Sequence, residues 1–398
     1  MEEQKEWKEK KVNLSSAIII GAVLAVLGGV VGANWNNWFG GFGQYLGFSN
    51  TASSGVNWSS LDEVYNQLAS SYNGELSTSE MIEGAKRGLT EALGDKYTVY
   101  MNAEETTEFY DDLHGNVGSG IGVEMGERDG YVRVLRTLPD NPARKVGILA
   151  GDILYKVDGE EVYAMSSEEI AKKIRGETGS EVTVSVVRDG EEKTFTMKRE
   201  VINNVAAYVE YDGSTAIVTV TRFDENTGVQ VQGFASEFKD KGINKVILDL
   251  RGNGGGYVNA ARDLLSLWID GETAFLQKSK HYGDTETKTA SGKASLAGMK
   301  TVVLVNGSTA SASEIVAGAL QDYGKATIVG EKTYGKGVVQ QLFPLSGGTE
   351  LKITTAEWYT PNDRSINEEG ITPDKEVKRS YEDINAMRDP QLDKAKKL

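Results

Sequence analysis

The spacing of hydrophobic positions changes several times along this chain. Leu14 to Ala33 carries no charge and is rich in Ile, Val, Ala and Gly, a run long enough to span a bilayer. From Ser60 the spacing becomes helical: Leu61, Val64, Tyr65 and Leu68, then, after the turn SYNGELS, Met81, Ile82, Ala85, Leu89 and Leu93. Residues 114–199 read as a compact β-rich module. It contains the strand YVRVLRTL, the amphipathic helix SSEEIAKKIRG, and EVTVSVVRDGEEKTFTMKR, a hairpin turning at Asp189-Gly190. Residues 200–375 alternate strands with helices: AIVTVTRF, VQVQGFASEFKDKG, KVILDLRGNGGG, AARDLLSLWI, then the strands TVVLVN, ATIVGEKT and LKITTAEWYT. That alternation predicts an α/β core with reactive residues at strand ends. The tail, 376–398, is charged and reads as a loosely docked helix or extension.

Composition narrows the picture. At 398 residues, two or three domains are expected. A formal net charge of −15 argues against nucleic acid as a partner. With no cysteine there is no thiol nucleophile, cysteine zinc site, disulfide framework or lipidated cysteine. His114 and His281 are the only histidines and there is no HExxH, so a zinc hydrolase is not expected.

The N-terminus sets the compartment. Lys5, Lys8, Lys10 and Lys11 precede the apolar run, and Trp35, Trp38, Phe39, Phe42 and Tyr45 follow it. Basic residues favour the cytoplasmic side and aromatic rings the interface. The expectation is a single-pass anchor in the cell membrane, with everything after it extracytoplasmic. Val31-Gly32-Ala33 also fits a signal-peptide cleavage site, the competing reading. Gly40 to Gly55 reads as a linker.

The candidate chemistry lies between 304 and 340. LVNGSTASASEIVAGALQDYG predicts a buried strand, a small-residue turn and a helix beginning near Ser313. Ser311 sits in that turn, where a helix N-terminus favours negative charge. Neither histidine is close in sequence, so if Ser311 is a nucleophile its base is a desolvated lysine. Lys336, between Gly335 and Gly337, is the candidate. If its segment is a strand, Gln340 shares its face.

These residues resemble the C-terminal processing peptidases, or tail-specific proteases. That family carries an S-A-S-A-S-E run whose middle serine is the nucleophile, a Gly-Lys-Gly lysine, and a glutamine four positions on. Here they match Ser311, Lys336 and Gln340, with TASASE in place of SASASE at Thr309. GDKYTVYM looks like the family's D-P-Y-T-x-Y-M segment with Lys96 replacing proline.

The 114–199 module resembles the family's permuted PDZ domain, supported by the run Ala143 to Leu154. Ser119, Gly120, Ile121 and Gly122 match its carboxylate-binding loop, whose backbone N–H groups would hold a peptide C-terminus. Arg175 matches an arginine that relays ligand binding to the catalytic domain. For the oxyanion the resemblance points to the N–H of Ala312 and to the glycine loop, with Gly255 as the second donor. Asn253-Gly254-Gly255-Gly256 stands where the family usually has N-P-G-G. Asp322 matches a family aspartate and is read as structural.

The resemblance implies a multidomain α/β protein. Its order would be cytoplasmic N-terminus 1–13, transmembrane helix 14–33, linker 34–59, N-terminal helical region 60–113, PDZ domain 114–199, ClpP/crotonase-like peptidase core 200–375 and tail 376–398. It implies a serine endopeptidase with a Ser311–Lys336 dyad acting on proteins or peptides with free C-termini, with no metal or cofactor. The helical region is the candidate surface for a homo-oligomer. Two alternatives stay open: a catalytically inactive PDZ adaptor, and a crotonase-like acyl-CoA enzyme.

Overall fold

The computed structural model describes residues 57–398 except Asp129 and Met387. The anchor and most of the linker expected from the sequence lie outside the described residues. Among the described residues no helix is long and apolar enough to cross a membrane. The chain divides into two units, 1–78 and 79–398. In the first, the helix Ser59–Ser71 buries none of its residues, so the stripe Leu61, Val64, Tyr65, Leu68 is exposed.

The second unit is built on a six-stranded sheet ordered Ala207–Asp212, Thr215–Val220, Lys245–Asp249, Lys300–Val305, Thr327–Gly330, Lys375–Glu376. The first pair is antiparallel and the rest run parallel. Parallel strands are covered on both faces and read as continuous apolar runs. Val246, Ile247 and Leu248 are fully buried, as are Val303, Leu304 and Val305. One face packs the helices Val258–Leu265 and Ala312–Asp322 with Phe223, Phe238 and Trp268.

The other face is covered in part by the C-terminal helix Pro390–Lys397, whose Ala395 joins Ile247, Val302, Leu304 and Val329. Lys245 Nζ donates to the carbonyls of Ala395 and Lys396 at 2.6 and 2.8 Å, satisfying the end of that helix.

A second, five-stranded sheet centres on the strand Glu350–Tyr359. The strand Val338–Pro344 lies on one edge, and Val99–Met101 and Thr273–Lys278 share the other. The N-terminal region is therefore not wholly helical. Between the helices Thr78–Glu91 and Ala103–His114 it lends a strand to the peptidase sheet. Tyr100 Oη donates to Glu83 at 2.6 Å, tying the first helix to that strand, and Arg87 pairs with Glu105 at 2.7 Å, tying the two helices together.

The β-rich module holds its own core of Ile121, Val132, Val134, Leu154, Val157, Ile170, Val184 and Val186. Its last hairpin, Glu181–Arg188 with Glu191–Lys198, turns at Asp189 and Gly190, both at positive φ (54° and 82°), as a two-residue type I′ turn requires. The module enters and leaves through a two-residue ribbon, Ser119 opposite Val201 and Gly120 opposite Glu200.

Candidate active site

Ser311 lies past the end of the strand Lys300–Val305 and starts the helix Ala312–Asp322. Its backbone has φ 55° and ψ −119°, a strained conformation for a residue with a Cβ. The turn is held from several sides. Thr309 is fully buried and its hydroxyl donates to Leu250 O at 2.9 Å. Asn253 O accepts Ala310 N–H and Ser313 Oγ, each at 3.0 Å. The hydroxyl is what Thr309 contributes here, so the departure from serine in the motif keeps this contact.

Glu314, three residues after Ser311, is fully buried and has four donors on its carboxylate. Oε2 accepts the N–H of Ser311 at 2.9 Å and of Lys336 at 3.0 Å; Oε1 accepts Gly335 N–H at 2.7 Å and Thr333 Oγ1 at 2.5 Å. One side chain thus pins the serine turn to the lysine segment. Sequence reading gave it no role. The S-x-x-E spacing of a helix-start capping box was the available signal.

The lysine segment is packed tightly. A Cβ on Gly337 would stand 2.4 Å from Asn367 N, so only glycine fits there. Trp358 Nε1 donates to Lys336 O at 3.0 Å. Burial lowers the Lys336 pKa, and the nearby Lys352 ammonium lowers it further. The amine lies over the Tyr97 ring, 5.2 Å from its centre. Among the described residues no hydrogen bond joins Lys336 to Ser311 or to Gln340.

Gln340 Nε2 instead donates to Tyr97 O at 2.5 Å. The strand begins at Val338, after Lys336, and its pairing shifts between Val339 and Gln340. Strand alternation therefore does not relate Lys336 to Gln340, but both reach Tyr97.

The glycine loop leaves the strand Lys245–Asp249 and packs onto the serine turn. At Gly255, φ is 108°, and a Cβ would lie 2.7 Å from Ser311 Cβ and 3.1 Å from Ala312 N. Gly255 N–H donates to Asn253 Oδ1 at 2.8 Å, so in this conformation it is engaged. Arg251 fixes the start of the loop, donating to Asp249 at 2.9 Å and to Asp389 at 2.9 Å. Burial works against its charge, but the two carboxylates outweigh it and raise its pKa. Asp322 lies at the far end of the serine helix, accepting Asn362 N–H at 2.8 Å and Arg364 Nε at 3.0 Å. That is a structural clamp away from Ser311.

Some distance along the chain, Gly120, Ile121 and Gly122 line a groove of about 390 Å³ with Ala171, Ile174 and Arg175. Thr221 and Arg222, from the peptidase segment, also line it. Ser119 is part of the entry ribbon, and its buried Oγ has no hydrogen-bond partner among the described residues.

Residues 214–377 match the family model for peptidase family S41, 119–198 a PDZ domain, and 46–106 the N-terminal domain of the activating protease CtpB. A probable CtpA-like serine protease of Staphylococcus saprophyticus is 34% identical over 82% of this chain and 67% of its own length. The chain belongs to peptidase family S41, among the CtpA-like serine proteases.

A relative in Staphylococcus aureus is 33% identical over 83% of this chain and 67% of its own. Among solved structures, a photosystem II D1 C-terminal processing protease superposes with a TM-score of 0.54 at 27% identity, covering 83% of this chain and 91% of that one. A putative S41 protease from Bacteroides fragilis, 14% identical, shares the fold with a TM-score of 0.58 over 85% and 96%. This protein is a serine-type C-terminal processing peptidase with a PDZ domain, and the acyl-CoA alternative falls with that membership.

Proposed function

We propose that this S41 peptidase is anchored in the cell membrane, faces outward, and cleaves proteins near their C-termini after its PDZ domain has taken hold of the tail. The observation that carries the catalytic part is the shared carboxylate of Glu314, which joins the main chains of Ser311 and Lys336. Ser311 Oγ attacks the scissile carbonyl, and neutral Lys336 Nζ takes the hydroxyl proton. The oxyanion that forms is received by the N–H of Ala312 and a donor of the Gly254–Gly256 loop. Gly255 serves once its N–H exchanges Asn253 for the substrate.

The lysine ammonium then gives its proton to the leaving amine, and the acyl group remains on Ser311. Water, deprotonated by the same lysine, releases it. For this sequence the Lys336 amine leaves Tyr97 and turns to Ser311, with Gln340 as its second partner. In the PDZ groove, the N–H groups at Ser119 to Gly122 hold the free carboxylate. Arg175 lines the same groove, as does Arg222, which is paired with Asp224 at 2.8 Å.

Mass spectrometry of fragments from tailed model proteins tests the activity. Wild type should give cuts near the C-terminus that are missing with Ser311→Ala, and unchanged fragment patterns would overturn the assignment. Anchoring is supported by the uncharged run Leu14 to Ala33 behind its lysines. Full-length protein should stay with membranes in alkaline carbonate, whereas release would favour a cleaved signal.

A further inference from the structure

Tyr97 touches two of the proposed active-site residues. Lys336 Nζ lies 5.2 Å from the centre of its ring, and Gln340 Nε2 donates to its carbonyl. The segment that presents it is fixed independently of the site. Tyr97 N–H and Thr98 Oγ1 donate to the two oxygens of Asp95 at 3.0 and 2.6 Å. Thr98 Oγ1 in turn accepts Thr354 N–H at 3.1 Å. The following strand, Val99–Met101, pairs with Glu350–Tyr359, the same strand that pairs with the Gln340 strand.

We infer that Tyr97 is a positioning residue for the base: its ring seats the Lys336 amine and its carbonyl orients the Gln340 carboxamide. This rests on the reading of Lys336 as the base. A carboxamide has one donating and one accepting end. With Nε2 committed to Tyr97 O, Oε1 is the end left to accept from the lysine. The ring face attracts an ammonium and not a neutral amine, so it holds the lysine in its charged, waiting form.

The other charged groups around this seat are few. Lys352 and burial act against the ammonium. Glu314 is engaged with main-chain N–H groups on the Lys336 side. Glu368 donates its own N–H to Gly335 O at 2.8 Å. Lys96 Nζ lies 4.9 Å from the same Tyr97 ring, but Lys96 is exposed and its field is screened by solvent. Removing the ring leaves burial and Lys352 unopposed, so Lys336 gives up its proton at lower pH.

The test compares the full-length wild type with Tyr97→Phe and Tyr97→Leu. Tyr97→Leu should lower the midpoint of the kcat–pH profile by about half a unit to one unit. Tyr97→Phe keeps the ring and the carbonyl and should keep the wild-type midpoint. A Tyr97→Leu midpoint at the wild-type value overturns the inference, as does a Phe variant shifted as far as Leu.

Titration of Lys336 by NMR of 13C-labelled lysine in a Ser311→Ala background needs no peptidase activity. If no tailed substrate is cut, the dyad reading fails, and this titration still decides whether the Tyr97 ring seats the Lys336 ammonium. Should the Leu variant not fold, a ring-fluorinated phenylalanine at position 97 keeps the volume while weakening the face charge. It must shift the titration in the same direction, and an unmoved titration overturns the inference.

Discussion

Glu314 holds Lys336 by its main chain: carboxylate Oε2 accepts the lysine N–H at 3.0 Å. The same oxygen takes the Ser311 N–H, and the other takes Gly335 N–H and Thr333 Oγ1. In Glu314→Gln the amide end would face donors wherever it pointed. The variant should lose on the order of 2–4 kcal/mol of stability and most of its turnover, because two strand ends lose their shared tie. Denaturant unfolding alongside peptide hydrolysis checks both, and a variant with wild-type stability would refute the brace.

Ser311→Ala and Lys336→Ala should each abolish cleavage and leave the fold intact. The double variant should be no worse than either single one, since residues acting as a unit are not additive. Single-turnover assays on purified protein measure this. Substantial peptidase activity in either variant would end the dyad assignment.

Burial and Lys352 lower the Lys336 pKa, and only the neutral amine can act as the base. Activity should therefore rise with pH, with a midpoint below the roughly 10.4 of an exposed lysine. The same shift burdens the fold. A lysine whose folded pKa lies below its unfolded one binds fewer protons when folded, so stability climbs as pH rises between the two values. Lys336→Met should raise the melting temperature at neutral pH while abolishing activity. A lowered melting temperature would show that the amine makes net favourable contacts in the fold.

At Gly255 the missing Cβ is a matter of space as well as backbone angle. A methyl there would press on Ser311 Cβ at 2.7 Å and on backbone atoms of Ala310 and Ala312 at 3.0–3.1 Å. Gly255→Ala should displace the serine turn and slow labelling of Ser311 by a serine-directed phosphonate at least tenfold. Labelling at the wild-type rate would mean the loop yields freely.

The PDZ groove should bind peptides with a free carboxylate and lose them on amidation, since an amide carries no charge for the backbone donors to hold. Arg175→Ala should reduce turnover of tailed substrates more than it reduces peptide binding to the protein. Fluorescence anisotropy with paired acid and amide peptides separates the two effects. Equal affinity for both peptides would remove the carboxylate site, and full turnover in Arg175→Ala would remove the relay.

Much of this was legible in the sequence because periodicity and turn chemistry are local. The strands Tyr131–Thr137 and Lys245–Asp249 and the turn at Asp189-Gly190 lie where the pattern puts them. The strand Val99–Met101 was less legible: it is short, sits between helices, and pairs with Glu350 to Lys352, far along the chain. Tyr97 and Glu314 share that difficulty. Their importance comes from partners distant in sequence: the S-x-x-E spacing signals only the Ser311 contact of Glu314, and nothing local signals its other three donors. The pairing shift at Val339 and Gln340 has no sequence signature either.

The ribbon of Ser119–Gly120 against Glu200–Val201 is also the doorway to the groove. The PDZ module is an insertion whose two ends meet in a ribbon two residues wide, braced beside it by Arg144 on Glu210 at 2.6 Å and by Asn141 on the Asn203 main chain at 3.0 Å. The residues that would greet an incoming tail are those from which the module hangs. If the groove takes a peptide tail as proposed, that tail docks at the junction through which the chain passes from one domain into the next.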